Sequence, residues 1–233
     1  MADRLLSRLL DGNRRHCAGL GADAFADCRD AQSPPVVSVC CSDSRVSQEG
    51  MWDVDHPGWL FTVGNIGNRA TRHVDGERVL DGGVAYPLAH AGSELVAVIG
   101  HTGCGAVGAA LAAVRDGDVP EHPGIRADVA ELAPIVEDGL ADPTVAPDGP
   151  TTANVHDRLV EYNVHRQVDA VREDDLTAEG GVQVYGFVYD FHRSYGDRDG
   201  AVYLVNADGD RDPEFLREAA GERSAEHVGS LLA

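Results

Sequence analysis

VVSVCCSDSR, residues 36–45, is the stretch of sequence from which the fold of this 233-residue chain can be read. Its first six residues form a short, mostly apolar run of the kind that makes a buried strand. The same pattern predicts four more strands, at residues 59–63, 95–99, 182–189 and 201–205. Helical periodicity predicts helices at about 3–18, 78–91, 106–115, 125–137, 152–173 and 213–220. Strands that alternate with helices predict an α/β fold, with a central, mostly parallel sheet of about four strands plus an edge strand, flanked by helices.

Composition indicates one globular domain over residues 1–233. Apolar residues make up 43% of the chain, and no shift in composition divides it. Residues 138–150, rich in proline and glycine, predict a loop rather than a domain linker. No apolar run approaches the roughly 18–20 residues that cross a bilayer, and the first residues lack the pattern of a secretory signal. We therefore expect a cytoplasmic protein with no membrane partner.

The charge balance is strongly acidic. The chain has 39 acidic residues against 19 basic ones, a formal net charge of −20, and all the basic residues are arginine. Such a field repels nucleic acids and anionic membranes, so neither is expected as a partner. The acidic residues are spread along the chain rather than gathered in a tail. This distribution resembles that of proteins from salt-accumulating halophiles, where concentrated salt screens the repulsion.

Cysteine usage favours metal binding or catalysis. There are five cysteines, an odd number, in a chain without an export signal, so a disulfide scaffold is not expected.

The ends of two predicted strands carry side chains that bind metals. The first strand ends at Cys41, and the third runs into GHTGCG, residues 100–105, which contains His101 and Cys104. The carboxyl ends of parallel strands meet at one edge of a sheet, so we expect these side chains to lie together. Two sulfurs and one imidazole leave a fourth tetrahedral position open, as at catalytic zinc sites.

Asp43 and Arg45 follow Cys41 closely enough to serve the same site. Two thiolates neutralise the charge of zinc, so water there is acidified less than at a site with three histidines. Asp43 is placed to accept a hydrogen bond from a hydroxide, and Arg45 to keep that carboxylate ionised. If Arg45 released it, the same carboxylate could become the fourth ligand and close the site.

Simpler interpretations exist for each of these residues. Cys41 alone is most often a packed thiol, and Asp43 with Arg45 an ordinary surface ion pair. A structural zinc site is another possibility, completed by one of the remaining cysteines, Cys17, Cys28 or Cys40. Cys40 points to the opposite face of a regular strand from Cys41, which favours a packed thiol.

Gly103, Gly105 and Gly108 also match the glycine spacing of a dinucleotide-binding turn. No second strand with a ribose-binding acid follows, because residues 116–121 read DGDVPE. The glycines are better interpreted as allowing a tight turn around the metal.

Together these motifs resemble the β-class carbonic anhydrases. The specific matches are CSDSRV at residues 41–46 and HTGCGA at residues 101–106. Flanking segments are similar to the family as well: LDGNR at 10–14, GNIGN at 64–68, EYNV at 161–164 and GFVYD at 186–190. The resemblance covers nearly the whole chain.

The resemblance implies a role for each matching residue. Cys41, His101 and Cys104 would bind one zinc ion per chain, and Asp43 and Arg45 would form the catalytic dyad. QSP at residues 32–34 resembles the plant-type branch, which implies that Gln32 donates a hydrogen bond to the substrate. Val46, Phe61 and Tyr86 would line the apolar substrate pocket.

By the same resemblance, the reaction is the reversible hydration of carbon dioxide to bicarbonate and a proton. An N-terminal helical arm at about residues 1–30 would embrace a partner chain, in a homodimer or a multiple of it. Three alternatives are a hydrolase of carbon disulfide or carbonyl sulfide, a zinc-stabilised assembly protein without activity, and a nicotinamide enzyme.

Three positions differ between branches or from the family pattern. A branch regulated by bicarbonate has tryptophan where this chain has Ser38, which favours an open zinc site here. Gly64 replaces the usual arginine, so one polar contact is lost. Pro87 follows Tyr86 inside a predicted helix, where we expect a kink.

Overall fold

The computed structural model describes residues 2–147 and 152–232. The strands are β1 (Val36–Cys41), β2 (Leu60–Asn65), β3 (Thr71–Val74), β4 (Glu77–Leu80), β5 (Leu95–His101), β6 (Gln183–Asp190) and β7 (Ala201–Ala207). The helices are α1 (Ala2–Gly19), α2 (Gln48–Met51), α3 (Gly82–His90), α4 (Gly105–Asp116), α5 (Pro123–Ala141), α6 (Thr152–Arg172), α7 (Asp175–Gly180) and α8 (Pro213–Ala220), followed by a 3₁₀ helix (Glu222–His227).

The central sheet has five strands in the order β2-β1-β5-β6-β7. The first four strands are parallel, and β7 runs antiparallel to β6 at the edge. This confirms the predicted α/β fold with four parallel strands and an added edge strand. The parallel strands read as apolar runs because helices cover the sheet.

Residues 78–91 are not one helix, as the periodicity predicted. The segment contains β4, which pairs with β3 in an antiparallel hairpin, and then α3. Asp75 and Gly76 form the two-residue turn with φ of 53° and 87°, as a hairpin turn of the mirror-image type requires. Asp81 then caps α3, its carboxylate accepting from the backbone N–H of Gly83. Pro87 is buried inside α3, which continues to His90.

The predicted loop at residues 138–150 begins later than expected. Helix α5 includes Pro134 and runs on to Ala141, so residues 138–141 are helical. Residues 148–150 lie outside the described part of the chain. Helices α2 and α7 and the 3₁₀ helix were not predicted, because each is too short to show a clear period. The β3–β4 hairpin was missed because the helix predicted at residues 78–91 extended back over β4.

Helix α6 packs directly on β5 beside the end of that strand. At Gly100, a Cβ atom would lie 2.7 Å from a methyl carbon of Val164 and 2.9 Å from one of Val160. Only glycine allows so close an approach of helix and strand. The first turns of α6 therefore lie next to residues 101–104, which the sequence singles out as the metal site.

The two faces of the sheet are buried to different extents. Cys41 belongs to the large core beneath α4, α5 and α6. Cys40 lies on the other face with Ala97 and Ile99, in a smaller cluster against Trp52 and Phe187. The predicted opposite orientation of the two cysteines is confirmed. Within the described residues, no helix combines the length and apolar character needed to cross a membrane.

Candidate metal centre

Three potential ligands meet at the carboxyl edge of the sheet. Cys41 ends β1, His101 ends the adjacent parallel strand β5, and Cys104 precedes the first residue of α4. All three are buried, and their ligating atoms lie within 4.8 Å of one another. Among the described residues, no other cluster of three histidine, cysteine or acidic side chains is close enough to hold a metal ion.

The donor atoms fit a tetrahedral zinc ion. Zinc–sulfur bonds of about 2.3 Å put two tetrahedral sulfurs about 3.8 Å apart, and the Sγ atoms of Cys41 and Cys104 are 3.8 Å apart. His101 donates from Nδ1 to the carbonyl oxygen of Thr102 at 3.0 Å. Its Nε2 therefore presents a lone pair, and this buried atom has no hydrogen-bond partner. A buried acceptor beside two thiols is what a metal would satisfy.

The thiols of Cys41 and Cys104 differ in acidity because a hydrogen bond joins them. The Cys104 thiol donates a hydrogen bond to Cys41, and this bond, together with one from the Gly67 N–H, lowers the pKa of Cys41. That same contact and burial raise the pKa of Cys104. Burial also raises the pKa of Cys40 to about 12 on the other face of the sheet. Metal binding must therefore displace the proton of Cys104, while Cys40 remains an inert thiol.

Asp43 and Arg45 form a forked ion pair beside the ligands. Nε and Nη2 of Arg45 donate to the two oxygens of Asp43 at 2.9 and 2.7 Å, and the Arg45 backbone N–H donates at 2.9 Å. These bonds hold the pKa of Asp43 far below its ordinary value. Oδ2 of Asp43 lies 3.7 Å from Nε2 of His101. An ionised carboxylate thus faces the ligand set.

A loop after β2 fixes the sulfur of Cys41. The Gly67 N–H donates to Cys41 Sγ at 3.4 Å, from a backbone with φ of 86° that favours glycine. The Asn163 side chain donates to the Gly67 carbonyl and to Oδ1 of Asn68, both at 3.1 Å. The flanking similarities at residues 64–68 and 161–164 were the sequence signal for this contact.

Two residues of α6 hold the loop that carries Cys104. His156 donates from Nε2 to the Cys104 carbonyl oxygen at 2.8 Å. Asp157 accepts from the Gly103 N–H, also at 2.8 Å. Neither residue was predicted from the sequence, because more than 50 residues separate each from the loop.

The glycines of residues 103–108 build a turn and not a nucleotide site. Gly103 has a φ of 63° and faces the ring of His192, and Gly105 begins α4. Helix α4 is followed by α5 instead of a strand. Between β5 and α5 the described chain therefore lacks the second strand, directly after the first helix, that a dinucleotide fingerprint requires.

The four predicted pocket residues lie at two ends of the sheet. Val46 is next to the dyad, its N–H donating to the Asp43 carbonyl at 3.0 Å. Phe61 pairs with Val37 in β1, four residues and about 13 Å before Cys41 at the usual rise of a strand. The Tyr86 ring lies 6.4 Å from that of Phe61, and Gln32 precedes β1. Within one chain, these last three residues do not meet the metal site.

Comparison with known proteins identifies the family. The sequence profile of the carbonic anhydrase family matches residues 36–196. Carbonic anhydrase 2 of Mycobacterium tuberculosis is 36% identical over 188 residues, which is 78% of this chain and 84% of the relative. The chain belongs to the β-class carbonic anhydrases. A carbonic anhydrase of Pseudomonas aeruginosa is 29% identical over 71% of this chain and 73% of its own length.

Solved structures agree with this assignment. A β-carbonic anhydrase from Coccomyxa, in complex with acetazolamide, superposes with a TM-score of 0.63 at 25% identity, over 79% of this chain and 82% of its own. An Aspergillus fumigatus β-carbonic anhydrase has a TM-score of 0.69 over 97% of this chain and 99% of its own, and at 22% identity it supports the fold. The protein is a carbonic anhydrase whose Cys41, His101 and Cys104 are consistent with one zinc ion per chain.

The zinc content of cysteine variants should distinguish the metal ligands from the other cysteines. We expect Cys41→Ala and Cys104→Ala to lower the zinc content well below one per chain, because each removes one of three protein ligands. Cys40→Ala is the matched control and should keep zinc near one per chain, as its side chain lies on the other face of the sheet. Atomic emission on purified protein measures this. Full zinc occupancy in Cys104→Ala would contradict the ligand set.

Proposed function

We propose that Asp43 and Arg45 are the catalytic dyad of this carbonic anhydrase. The observation that carries the proposal is the forked ion pair whose Oδ2 lies 3.7 Å from the ligand His101. Zinc, when bound to the three ligands, supplies a Lewis acid that makes water acidic enough to give hydroxide. With zinc bound, Asp43 would accept a hydrogen bond from that hydroxide at its carboxylate and would thereby orient the hydroxide toward carbon dioxide. Arg45 keeps Asp43 ionised and fixed in place.

We further propose that the site is of the open kind and belongs to the plant-type branch. Arg45 donates a hydrogen bond to each carboxylate oxygen of Asp43. The carboxylate therefore stays paired with Arg45 and does not take the fourth metal position. Ser38 replaces the tryptophan of the regulated branch, and it is buried in β1. Gln32 belongs to the QSP segment of the plant-type pattern, and the next residue, Ser33, donates to the Ala91 carbonyl at 3.1 Å.

A second copy of the chain completes the substrate pocket in this proposal. Phe61 and Tyr86 form a ring pair at the far end of β1 and β2 from their own metal ligands, and Gln32 precedes β1 at the same end. Half of the Tyr86 side chain is exposed, and β2 lies at the edge of the sheet. A partner docked along this edge brings the three residues of one chain to the ligands of the other. An apolar wall with one amide donor suits a small linear substrate such as carbon dioxide.

The N-terminal helix supports such a homodimer. Leu5, Leu6, Leu9 and Leu10 of α1 are between 57% and 71% exposed. Their spacing puts them on one face of the helix, and an exposed apolar face of this size is typical of a protein interface. We propose that α1 lies against the partner chain. A Sordaria macrospora β-carbonic anhydrase with the same fold is tetrameric.

Replacing Asp43 separates catalysis from metal binding. We expect Asp43→Asn to keep about one zinc per chain, because its side chain is not needed as a ligand. Turnover should fall by about 10²–10⁴-fold, the usual contribution of a positioned acid–base group. Stopped-flow hydration of carbon dioxide, with zinc analysis on the same sample, measures both. Unchanged turnover would show that the pair is only structural.

Mixed dimers test the shared pocket. Gln32→Ala and Asp43→Asn each impair both sites of a homodimer, but a mixed dimer has one site with neither change if Gln32 serves the partner. Co-expressed, differently tagged chains should therefore regain about half of the wild-type activity per dimer. No recovery above the two parent homodimers would mean that Gln32 serves its own chain. Mixing Gln32→Ala with itself under both tags is the control.

We propose that the protein is adapted to concentrated salt. Its charge of −20 and complete lack of lysine support this, and a dimer doubles the charge that must be held together. The Debye length is about 30 Å at about 0.01 M salt and about 3 Å near 1 M, so repulsion reaches across a whole subunit only in dilute buffer.

Salt should therefore stabilise the assembled protein. We expect melting temperature, dimer mass and activity to rise between roughly 0.05 and 3 M potassium chloride, a range that spans long and short screening lengths. A net stability of order 5–15 kcal/mol is small enough for such repulsion to decide. Calorimetry and light scattering across this range give the answer. Flat curves would overturn the halophilic interpretation and leave the zinc site unaffected.

A further inference from the structure

Phe191 contacts both the metal ligand His101 and the dyad residue Arg45. It comes directly after β6, whose neighbour β5 ends at His101. The two rings are stacked, with centroids 5.6 Å apart and planes 21° from parallel. The guanidinium carbon of Arg45 lies 4.4 Å from the centroid of the same phenyl ring. One aromatic side chain thus connects the ligand set to the ion pair.

The backbone around Phe191 is held in place by buried groups. The Phe191 N–H donates to Oγ1 of Thr102 at 3.2 Å, and Thr102 also supplies the carbonyl that orients His101. Asp190 is fully buried and accepts from the N–H groups of His192 and Tyr195 at 3.0 and 2.8 Å. These bonds hold the backbone at Phe191 next to His101 and do not involve Arg45.

Contacts other than the ion pair also affect where Arg45 lies. About half of its side chain is exposed, so the forked bonds to Asp43 leave the rest of the side chain free to move unless another group packs against it. A guanidinium bonds to a carboxylate at its edge and packs on an aromatic ring with its face. The edge of the Arg45 guanidinium donates to Asp43, and its central carbon lies over the ring of Phe191. The ring restricts the positions in which Arg45 can lie.

The position of Arg45 decides where the Asp43 carboxylate goes. Oδ2 of Asp43 is already 3.7 Å from Nε2 of His101. A carboxylate released by Arg45 would compete with other anions for the open metal position, because carboxylates are themselves zinc ligands.

We propose that Phe191 is a positioning residue, which holds Arg45 against Asp43 and thereby keeps the carboxylate away from the open metal position. This inference rests on the proposed roles of Asp43 and Arg45. Phe191 belongs to neither of the motifs at residues 41–46 and 101–106. It reaches the site from the end of β6, a different strand.

Azide binding to the cobalt-substituted holoenzyme tests the proposal. Its visible spectrum reports on the open position, and a competing Asp43 carboxylate raises the apparent Kd for azide. We expect Phe191→Leu to raise this Kd by up to about five-fold, because the loss of a cation–π contact at a partly exposed site changes the balance between paired and released Asp43 by about that factor at most. Phe191→Tyr keeps the aromatic face and should behave as wild type.

Two further variants control for packing. Phe187→Leu removes a ring from the same strand, where it contacts Trp52 at 5.2 Å on the other side of the sheet, and should leave the Kd unchanged. 3,4,5-Trifluorophenylalanine at position 191 keeps the shape of the ring but weakens its attraction for a cation. This variant should raise the Kd as Phe191→Leu does. If Phe191→Leu does not fold, the trifluoro variant tests the role of Phe191 in its place.

The rise in the azide Kd on replacing Phe191 should require the Asp43 carboxylate. In an Asp43→Asn background we expect Phe191→Leu to leave the azide Kd unchanged, because the competing carboxylate is gone. An equal rise in both backgrounds, or no rise from the leucine and trifluoro variants in the native background, would overturn the role of Phe191. Full turnover in Asp43→Asn alone would instead overturn the proposed dyad, so the two failures are distinguishable.

Discussion

The parallel pairing of β1 with β5 is the constraint on which the site depends. Because the two strands run side by side in the same direction, Cys41 and His101 reach the same edge of the sheet. The turn at Gly103 then brings Cys104 back to them before α4 begins. The pairing of the two strands and this turn are therefore enough to place two sulfurs and one nitrogen together in a buried space.

Helix α6 is the second element that fixes this geometry. It approaches β5 at Gly100 so closely that no side chain fits between them. From this position His156 and Asp157 hold the Cys104 loop, and Asn163 holds the loop whose Gly67 N–H contacts Cys41. Both sulfur ligands are therefore supported by one helix, as expected of a site whose neighbours orient the ligands.

Much of this arrangement was predictable from local sequence. The strand ending at Cys41 and the turn containing His101 and Cys104 show their chemistry within a few residues. The sheet was predictable because its buried strands read as apolar runs. The β3–β4 hairpin was missed although its Asp75-Gly76 turn is a recognised hairpin signal, since the helical period of the following residues extended too far back.

The remainder could not be predicted because it depends on contacts between distant segments. Nothing local marks His156 or Phe191 as neighbours of the metal site; the fold alone brings them there. For Gln32, similarity to the family suggested a role that the geometry of one chain does not provide, since the segment lies at the opposite end of β1. In the proposed dimer Gln32 would act across a subunit boundary, and such a role leaves no pattern in the spacing of residues along its own chain.

Zinc K-edge X-ray absorption on the purified, zinc-loaded protein measures the ligand set of the metal itself. Bond lengths depend on the ligand atom, at about 2.3 Å for sulfur and about 2.0–2.1 Å for nitrogen. We expect two sulfurs, one imidazole nitrogen and a fourth light atom. A shell with three or four sulfurs, or with none, would contradict the assignment of Cys41, His101 and Cys104 as the complete set of protein ligands.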